Sequence, residues 1–269
     1  IRSSGCSLIL LSGRHVSLNV EKRIRFSNKV ARATGYCQEV TETPAATPAP
    51  VLTGEQLLEI IEASSRGGAQ LPRHRHNLTP EQVEESQRWR LIAATAEVIA
   101  EQGYAKTTVD QISAQAGVSK KSFYKFFSDK EDAFLSAYDT IGAVLVPMQE
   151  GLPKNPRSLE EVVRAVLEEY LRLLQAAPAM AKMFLLNAQG STKKIAERRI
   201  LGQQGFAYAF STWLDESGIE HADIDHREFV AALGGVAETC AQQAHLHGVD
   251  TLDDVADILV SFLMRVLSP

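Results

Sequence analysis

Apolar residues return every three or four positions from about residue 80 to the end of the chain, and no stretch alternates with the two-residue period of a strand. The spacing predicts an all-α protein. Leu91 and Val98, like Ile92 and Ile99, stand seven apart with the small Ala94, Thr95 and Ala96 between them, on a helix from about Pro80 to Gln102. Thr79 precedes it as an N-cap, Pro80 fits its first turn, Gln82 closes a capping box, and Gly103 ends it. Next, Val109, Ile112 and Ala116 mark one apolar face of a short helix, with Thr108 as N-cap and Gln111 three residues on. Gly117, lacking a Cβ, takes the turn cheaply. Ser119 caps another short helix, Lys120 to about Phe126, and Val118 and Phe123 can pack back on the first.

The remaining pattern is helical too. Asp129 caps a fourth helix that runs toward Val146 and stops at Pro147. Ser158 and Glu161 form a capping box ahead of the stripe Leu159, Val163, Leu167, Tyr170 and Leu174. Pro178 opens a helix ending near Gly190, and further helices are expected over residues 191–217, 225–247 and 251–267. In the last two, Phe229, Leu233, Val236 and Cys240, and Val255, Leu259, Phe262 and Val266, form apolar stripes. Gly234 and Gly235 would let another helix approach closely. Two terminal apolar helices per subunit suit a four-helix dimer interface built on Phe229, Leu233, Gly234, Gly235, Val236, Val255, Leu259 and Phe262. A monomer with both stripes turned inward is the alternative.

Charge sharpens the reading of the two short helices. From Gly117 to Lys130 there are four lysines, Lys120, Lys121, Lys125 and Lys130, against the single acid Asp129. Between residues 80 and 140, however, seven Lys and Arg face ten Asp and Glu, so the region as a whole is not basic. Positive charge gathered on the second helix of a helix-turn-helix suits focused phosphate contact, with that helix in a DNA major groove. The plainer alternative is a solvated lysine-bearing helix face.

The segment resembles the DNA-binding domain of TetR-family transcriptional regulators. The resemblance rests on Gly103-Tyr104 after the first helix, Thr107-Thr108-Val109 opening the second, and Ala116-Gly117-Val118-Ser119 in the turn. The aromatic-rich run from Phe123 through Tyr124, Lys125 and Phe126 to Phe127 and the Ser128-Asp129-Lys130-Glu131 start of the fourth helix complete it. It covers roughly Arg88 to Tyr138, with two departures: Lys125 stands where histidine is common, and Lys121-Ser122 replace a frequent small pair. It implies a DNA-reading head on a larger helical ligand-binding and dimerisation bundle, and a homodimeric, ligand-responsive repressor of a palindromic operator. Ligand would shift the fourth helix and change the separation of the two recognition helices. Lys121, Ser122 and Lys125 are then the base-reading candidates, and Thr107, Thr108, Tyr124 and Lys130 the phosphate anchors, with Ser119 and Lys120 at the start of the recognition helix. Two other classes stay open: a sequence-independent, nucleoid-type DNA binder, and a helical ligand-binding or enzymatic protein with an incidental motif.

Composition bounds the rest. The chain has 269 residues, 45% hydrophobic and 23% charged, enough for one large or two moderate globular domains. No apolar run approaches the roughly 20 residues of a membrane span. Three scattered cysteines fit a reducing cytoplasm rather than a disulfide framework. Residues 1 to about 50 lack sustained periodicity and end in TPAATPAP, with a brief amphipathic helix expected at Gly54 to Ala63; residues 1–70, which hold no methionine, are expected to be a disordered leader or translated upstream sequence. Ten Lys and Arg against six acids in residues 1–76 leave a basic DNA-attracting arm as the functional reading. LPRHRH, residues 71–76, carries Arg73 and Arg75 directly before the first helix, and with it the head is expected over 71–138 and the bundle over 139–269.

Chemistry of other kinds finds little support. No phosphate-binding glycine loop, paired-histidine zinc helix or nucleophile elbow appears. His245 and His247 point to different sides of a helix, so no metal, cofactor or catalytic residue is expected. An unknown small-molecule effector is expected in an apolar cavity that Met148, Tyr170, Met180, Met183, Phe184, Phe206, Phe210 and Trp213 could line, with Asn187 and Gln189 orienting it, because pockets need few, placed polar groups; at helical spacing the same apolar residues are more often plain core.

Overall fold

The computed structural model describes residues 79–145, 156–188 and 191–269. The leader, the basic run at 71–76, Pro147, Met148 and Gln189 lie outside the described residues. Among the described residues every regular element is helical. The head comprises α1 (Pro80–Gln102), α2 (Val109–Ala116) and α3 (Lys120–Phe126), and α4 (Lys130–Leu145) leads out of it. The bundle holds α5 (Leu159–Ala176), α6 (Pro178–Lys182), α7 (Lys193–Ser217), α8 (His226–Leu246) and α9 (Ala256–Leu267).

Side-chain caps start three helices of the bundle; of these Ser158 is the one the sequence announces, and the Glu161 carboxylate accepts from Arg157 N at 2.9 Å instead of closing the capping box. Ser158 accepts from Glu161 N at 3.2 Å, Thr192 from Ile195 N at 3.2 Å, and Asp225 from Arg227 N at 2.8 Å. Each satisfies an amide that the first turn leaves without an intrahelical partner. The α5 stripe Leu159, Val163, Leu167, Tyr170 and Leu174 is buried throughout.

Two elements differ from expectation. The helix opened by Pro178 turns into a π-helical segment, Met183–Asn187, closed by the Ala188 amide on Met183 O at 3.0 Å. The expected last helix from residue 251 begins instead as a 3-10 segment, Val249–Val255, and becomes α-helical at Ala256. Its start is pinned by Thr251 Oγ1 donating to Gly248 O at 2.8 Å and Gln243 Nε2 donating to Thr251 Oγ1 at 2.9 Å.

α1 runs through the centre of the architecture. It packs on α2 and α4 within the head and on α6 and the π segment of the bundle. One apolar core therefore extends from Phe123 in the head to Leu267 at the end of α9. α4 in turn touches α6, the π segment and α7, so head and bundle are coupled by packing as well as by chain connection.

Candidate nucleic-acid interface and effector region

The helix-turn-helix is built by local chemistry. Thr108 Oγ1 accepts from Gln111 N at 3.3 Å while Gln111 Oε1 accepts from Thr108 N at 2.9 Å, a reciprocal capping box. Gly117 sits at φ 61°, in the left-handed region that closes α2, and its amide and that of Val118 donate to Ala114 O and Ser113 O. From α1, Arg90 Nη1 reaches the last α2 carbonyl, Ala116 O, at 3.1 Å. Ser119 accepts from Ser122 N at 3.1 Å and starts α3.

Phe123 is the pivot of α3. It is fully buried and in ring contact with Tyr124 and Phe127, at 5.4 and 5.5 Å between centroids. With that anchor inward, Lys120, Lys121, Tyr124 and Lys125 face solvent on one exposed surface, Tyr124 at 53% exposure.

The expected contact residues do not behave alike. Lys121 and Tyr124 are exposed, and Lys121 has no hydrogen bond or ion pair among the described residues. Lys120 Nζ lies 2.8 Å from Asp110 Oδ1, and Lys125 is ion-paired with Glu84 of α1. The hydroxyls of Ser119 and Ser122 lie 3.0 Å apart, and Thr108 is exposed at the N-cap.

Two of the expected phosphate anchors already have partners within the chain. Thr107 is buried and its hydroxyl donates to Gly103 O at 2.9 Å, so it fastens the α1–α2 turn. Lys130 donates to Tyr104 O and to Thr107 O, both at 2.9 Å, and its ammonium stands 4.4 Å from the centre of the Tyr104 ring. A cation surrounded by carbonyl oxygens and an aromatic face fastens the same turn.

In the bundle the aromatic side chains stack in series. Phe206, Phe210 and Trp213 follow one another along α7, with centroids 6.4 and 6.1 Å apart, and Phe210 meets Phe229 of α8 at 5.5 Å. Met183 is completely buried in the π segment. Beside it, Asn187 Oδ1 is buried without a hydrogen-bond partner. An orphaned acceptor of this kind costs about 1–3 kcal/mol and calls for a donor that the described residues do not supply.

Sequence reasoning did not single out Tyr138, Asp139 or Arg198 around this region, whose contacts are non-local. Tyr138 of α4 stacks on Phe184 at 4.8 Å. Burial drives the phenol of Tyr170 well above its usual range, with Cys240 and Tyr138 close enough to add to the rise. Burial also pushes the Cys240 thiol up to about 12. At the α4–α7 seam, Arg198 pairs with Asp139 at 3.1 Å, and Thr192 donates to Glu131. Asp139 keeps 37% of its side chain exposed, yet burial outweighs Arg198 and raises its carboxyl to about 6.

The expected dimer stripe is divided between the chain's own core and its surface. Phe229, Val236, Val255 and Leu259 are buried in the chain's own core. Leu233, Gly234 and Gly235 are half-buried, and a Cβ on Gly235 would touch the chain's own Phe262 at 3.6 Å, whereas one on Gly234 would meet nothing. On α8 and α9 the large apolar groups left outside are Ile258, 65% exposed, and Phe262, 39% exposed, one turn apart on α9, with Leu246 exposed at the end of α8. Among the described residues no group of three or more His, Cys, Asp or Glu gathers as a metal site, and no helix is long and apolar enough to cross a membrane.

Comparison with known proteins agrees with this geometry. Residues 91–137 match the family described as bacterial regulatory proteins, tetR family. The fatty acid metabolism regulator protein of Bacillus subtilis (strain 168) is 29% identical over 110 residues, 40% of this chain and 56% of that protein. The HTH-type transcriptional regulator HbdR of Aromatoleum sp. (strain CIB) is 30% identical over 129 residues, 48% of this chain and 55% of that protein. The chain thus spans about half the length of the curated relatives it matches. Among solved structures, the transcriptional regulator FadR from Bacillus subtilis in complex with stearoyl-CoA superimposes with a TM-score of 0.52 at 23% identity, over 64% of this chain and 97% of that one. A TetR family transcription regulator from Marinobacter aquaeolei VT8 does so with a TM-score of 0.54 at 16% identity, over 70% and 98%. At these identities the structures bear on the fold.

Proposed function

We propose that this chain, which carries the DNA-binding domain of the tetR family of bacterial regulatory proteins, is a sequence-specific transcriptional regulator: a ligand-responsive repressor that grips a palindromic operator as a homodimer. It works in the cytoplasm and without catalysis. The observation that carries the reading is α3. Its buried Phe123 locks the helix against the head and leaves Lys121 and Tyr124 free on the outer face, the arrangement needed to enter a major groove. Lys121 then reads base edges, and Tyr124 and Thr108 position the head on phosphates.

Dimerisation follows from the two-fold symmetry of such operators. The exposed Ile258 and Phe262 on α9, beside the open Gly234 on α8, form the face that a second copy would cover. Two heads must meet major grooves about 34–36 Å apart, so a small rotation of each α4 is enough to lose register.

The effector enters through the bundle. An apolar ligand can lie against the aromatic series of α7 and offer a donor to Asn187 Oδ1. The stearoyl-CoA complex of the Bacillus FadR supports a fatty-acyl compound as the first class to test. Tyr138 would carry its arrival into α4, because it stacks on Phe184 in the segment that bears Asn187. Such a ligand acts only through different affinities for the DNA-competent and DNA-incompetent arrangements.

The test is selection from a random duplex library, followed by titration of the enriched duplex with fatty acids and acyl thioesters. Enrichment of an inverted repeat, released by one of these compounds, is the expected result. Retention of the whole library without enrichment would mark a sequence-independent binder. No retention of any DNA would end the regulator reading.

A further inference from the structure

The recognition helix carries three lysines, yet two of them already have anionic partners in the free protein. Lys120 Nζ is 2.8 and 3.0 Å from the two carboxylate oxygens of Asp110, at the start of α2. Lys125, in the last turn of α3, is paired with Glu84 of α1, 41 residues away in sequence. All four side chains are about half exposed or more, so each pair can open to solvent or to another anion. The hydrogen bond and charge of Asp110 hold the Lys120 ammonium above its usual range, as a phosphate would.

We propose that Asp110 and Glu84 are internal stand-ins for the DNA phosphate: they occupy Lys120 and Lys125 until duplex DNA displaces them, and so restrain the affinity of the head for DNA of any sequence. The proposal rests on the DNA-binding reading above and adds affinity-setting residues to it. Binding becomes an exchange of carboxylate for phosphate at two lysines, and a simple gain of contact at Lys121. A second observation agrees. Seven basic and ten acidic side chains between residues 80 and 140 leave that region at 7 − 10 = −3, so little general attraction remains once the two lysines are paired. A regulator facing a genome of competing sites benefits from weak binding to random sequence, since specificity is a ratio. Structural stabilisation alone is a poor account of these pairs, because exposed ion pairs contribute little to folding.

The experiment measures binding to a labelled random-sequence duplex by fluorescence anisotropy over a salt series. It compares the wild type with Glu84→Gln, Asp110→Asn and the double variant. At low salt the double variant should bind about three- to tenfold more tightly, on the scale of two released exposed ion pairs. The gain should shrink as salt screens the carboxylates, and disappear when Lys120→Gln and Lys125→Gln are added. Asp253→Asn with Asp254→Asn makes the same change in net charge on an exposed segment of the bundle and should leave binding unaltered. Affinity equal to wild type in the double variant overturns the proposal, as does an equal gain from the Asp253 and Asp254 control or a gain that survives loss of both lysines. Glu84→Gln alone lies on an exposed face of α1 and keeps the test valid should Asp110→Asn disturb the start of α2. A wild type that binds no duplex and enriches none in selection would instead end the DNA-binding reading itself.

Discussion

Lys130→Met separates a structural lysine from a DNA contact. The methionine keeps an apolar stem for the Tyr104 ring and removes only the ammonium. Two carbonyls, Tyr104 O and Thr107 O, then lose donors now at 2.9 Å, and the cation over the ring at 4.4 Å is gone. Hydrogen bonds to a charged group contribute about 1.5–3 kcal/mol each, and an exposed cation–π contact about 0.5–1 kcal/mol. The site is only partly buried, so water replaces a large share, and the net loss should be about 2 kcal/mol. For a chain of this size that lowers Tm by roughly 4–8 °C. The assay is thermal unfolding at one fixed protein concentration, since an associating protein melts at a concentration-dependent temperature. Alongside it, the salt dependence of duplex binding should keep its slope, whereas loss of a true phosphate contact lowers the slope by about 1. An unchanged Tm with a flattened slope would refute the reasoning and return Lys130 to the DNA.

Three further outcomes follow from the same contacts. Ile258→Arg with Phe262→Glu should yield monomers by sedimentation and abolish binding to a palindromic duplex while single heads stay folded; dimers of normal stability would place the interface elsewhere. Asn187→Leu removes an orphaned buried acceptor, so the ligand-free protein should gain about 1–3 kcal/mol in urea unfolding while losing its response to effector; loss of stability would mean that Oδ1 is already satisfied. Asp139 has its carboxyl raised from 3.8 to about 6, so its contribution to the fold is fully present below pH about 4 and is lost as pH rises through 6. Wild type should therefore gain stability relative to Asp139→Asn as pH falls from 7 to 5, and parallel pH profiles of the two would contradict the shift.

What could be read from the sequence was the part that local chemistry determines. Thr108 with Gln111, the left-handed Gly117 and Ser119 each act over four residues or fewer, and their partners stand next to them in the chain. The same holds for Ser158 with Glu161 and for the buried stripe of α5, where polar residues on the opposite side left one choice of inward face. α9 offered no such choice. Leu259, Val260, Leu263 and Leu267 are buried while Ile258 and Phe262 are exposed, so both sides of the helix are apolar and periodicity cannot say which meets the chain's own core. The π segment was illegible for a related reason: one extra residue in a turn changes register without changing composition.

The four lysines between Gly117 and Lys130 show why the surface was harder to read than the core. By sequence they form one positive run. In the fold Lys130 is held by two carbonyls and a ring across more than 20 residues, Lys125 by a carboxylate 41 residues upstream, Lys120 by one 10 residues upstream, and Lys121 by nothing among the described residues. Apolar burial is additive and roughly indifferent to partner, so a pattern of residue types anticipates it. A charge acts through its nearest counter-charge, and that neighbour is set by tertiary structure alone. Charge in sequence is therefore an upper limit on charge available to DNA. Among the described residues one α3 lysine, Lys121, has no counter-ion, and the other two are held by Asp110 and Glu84.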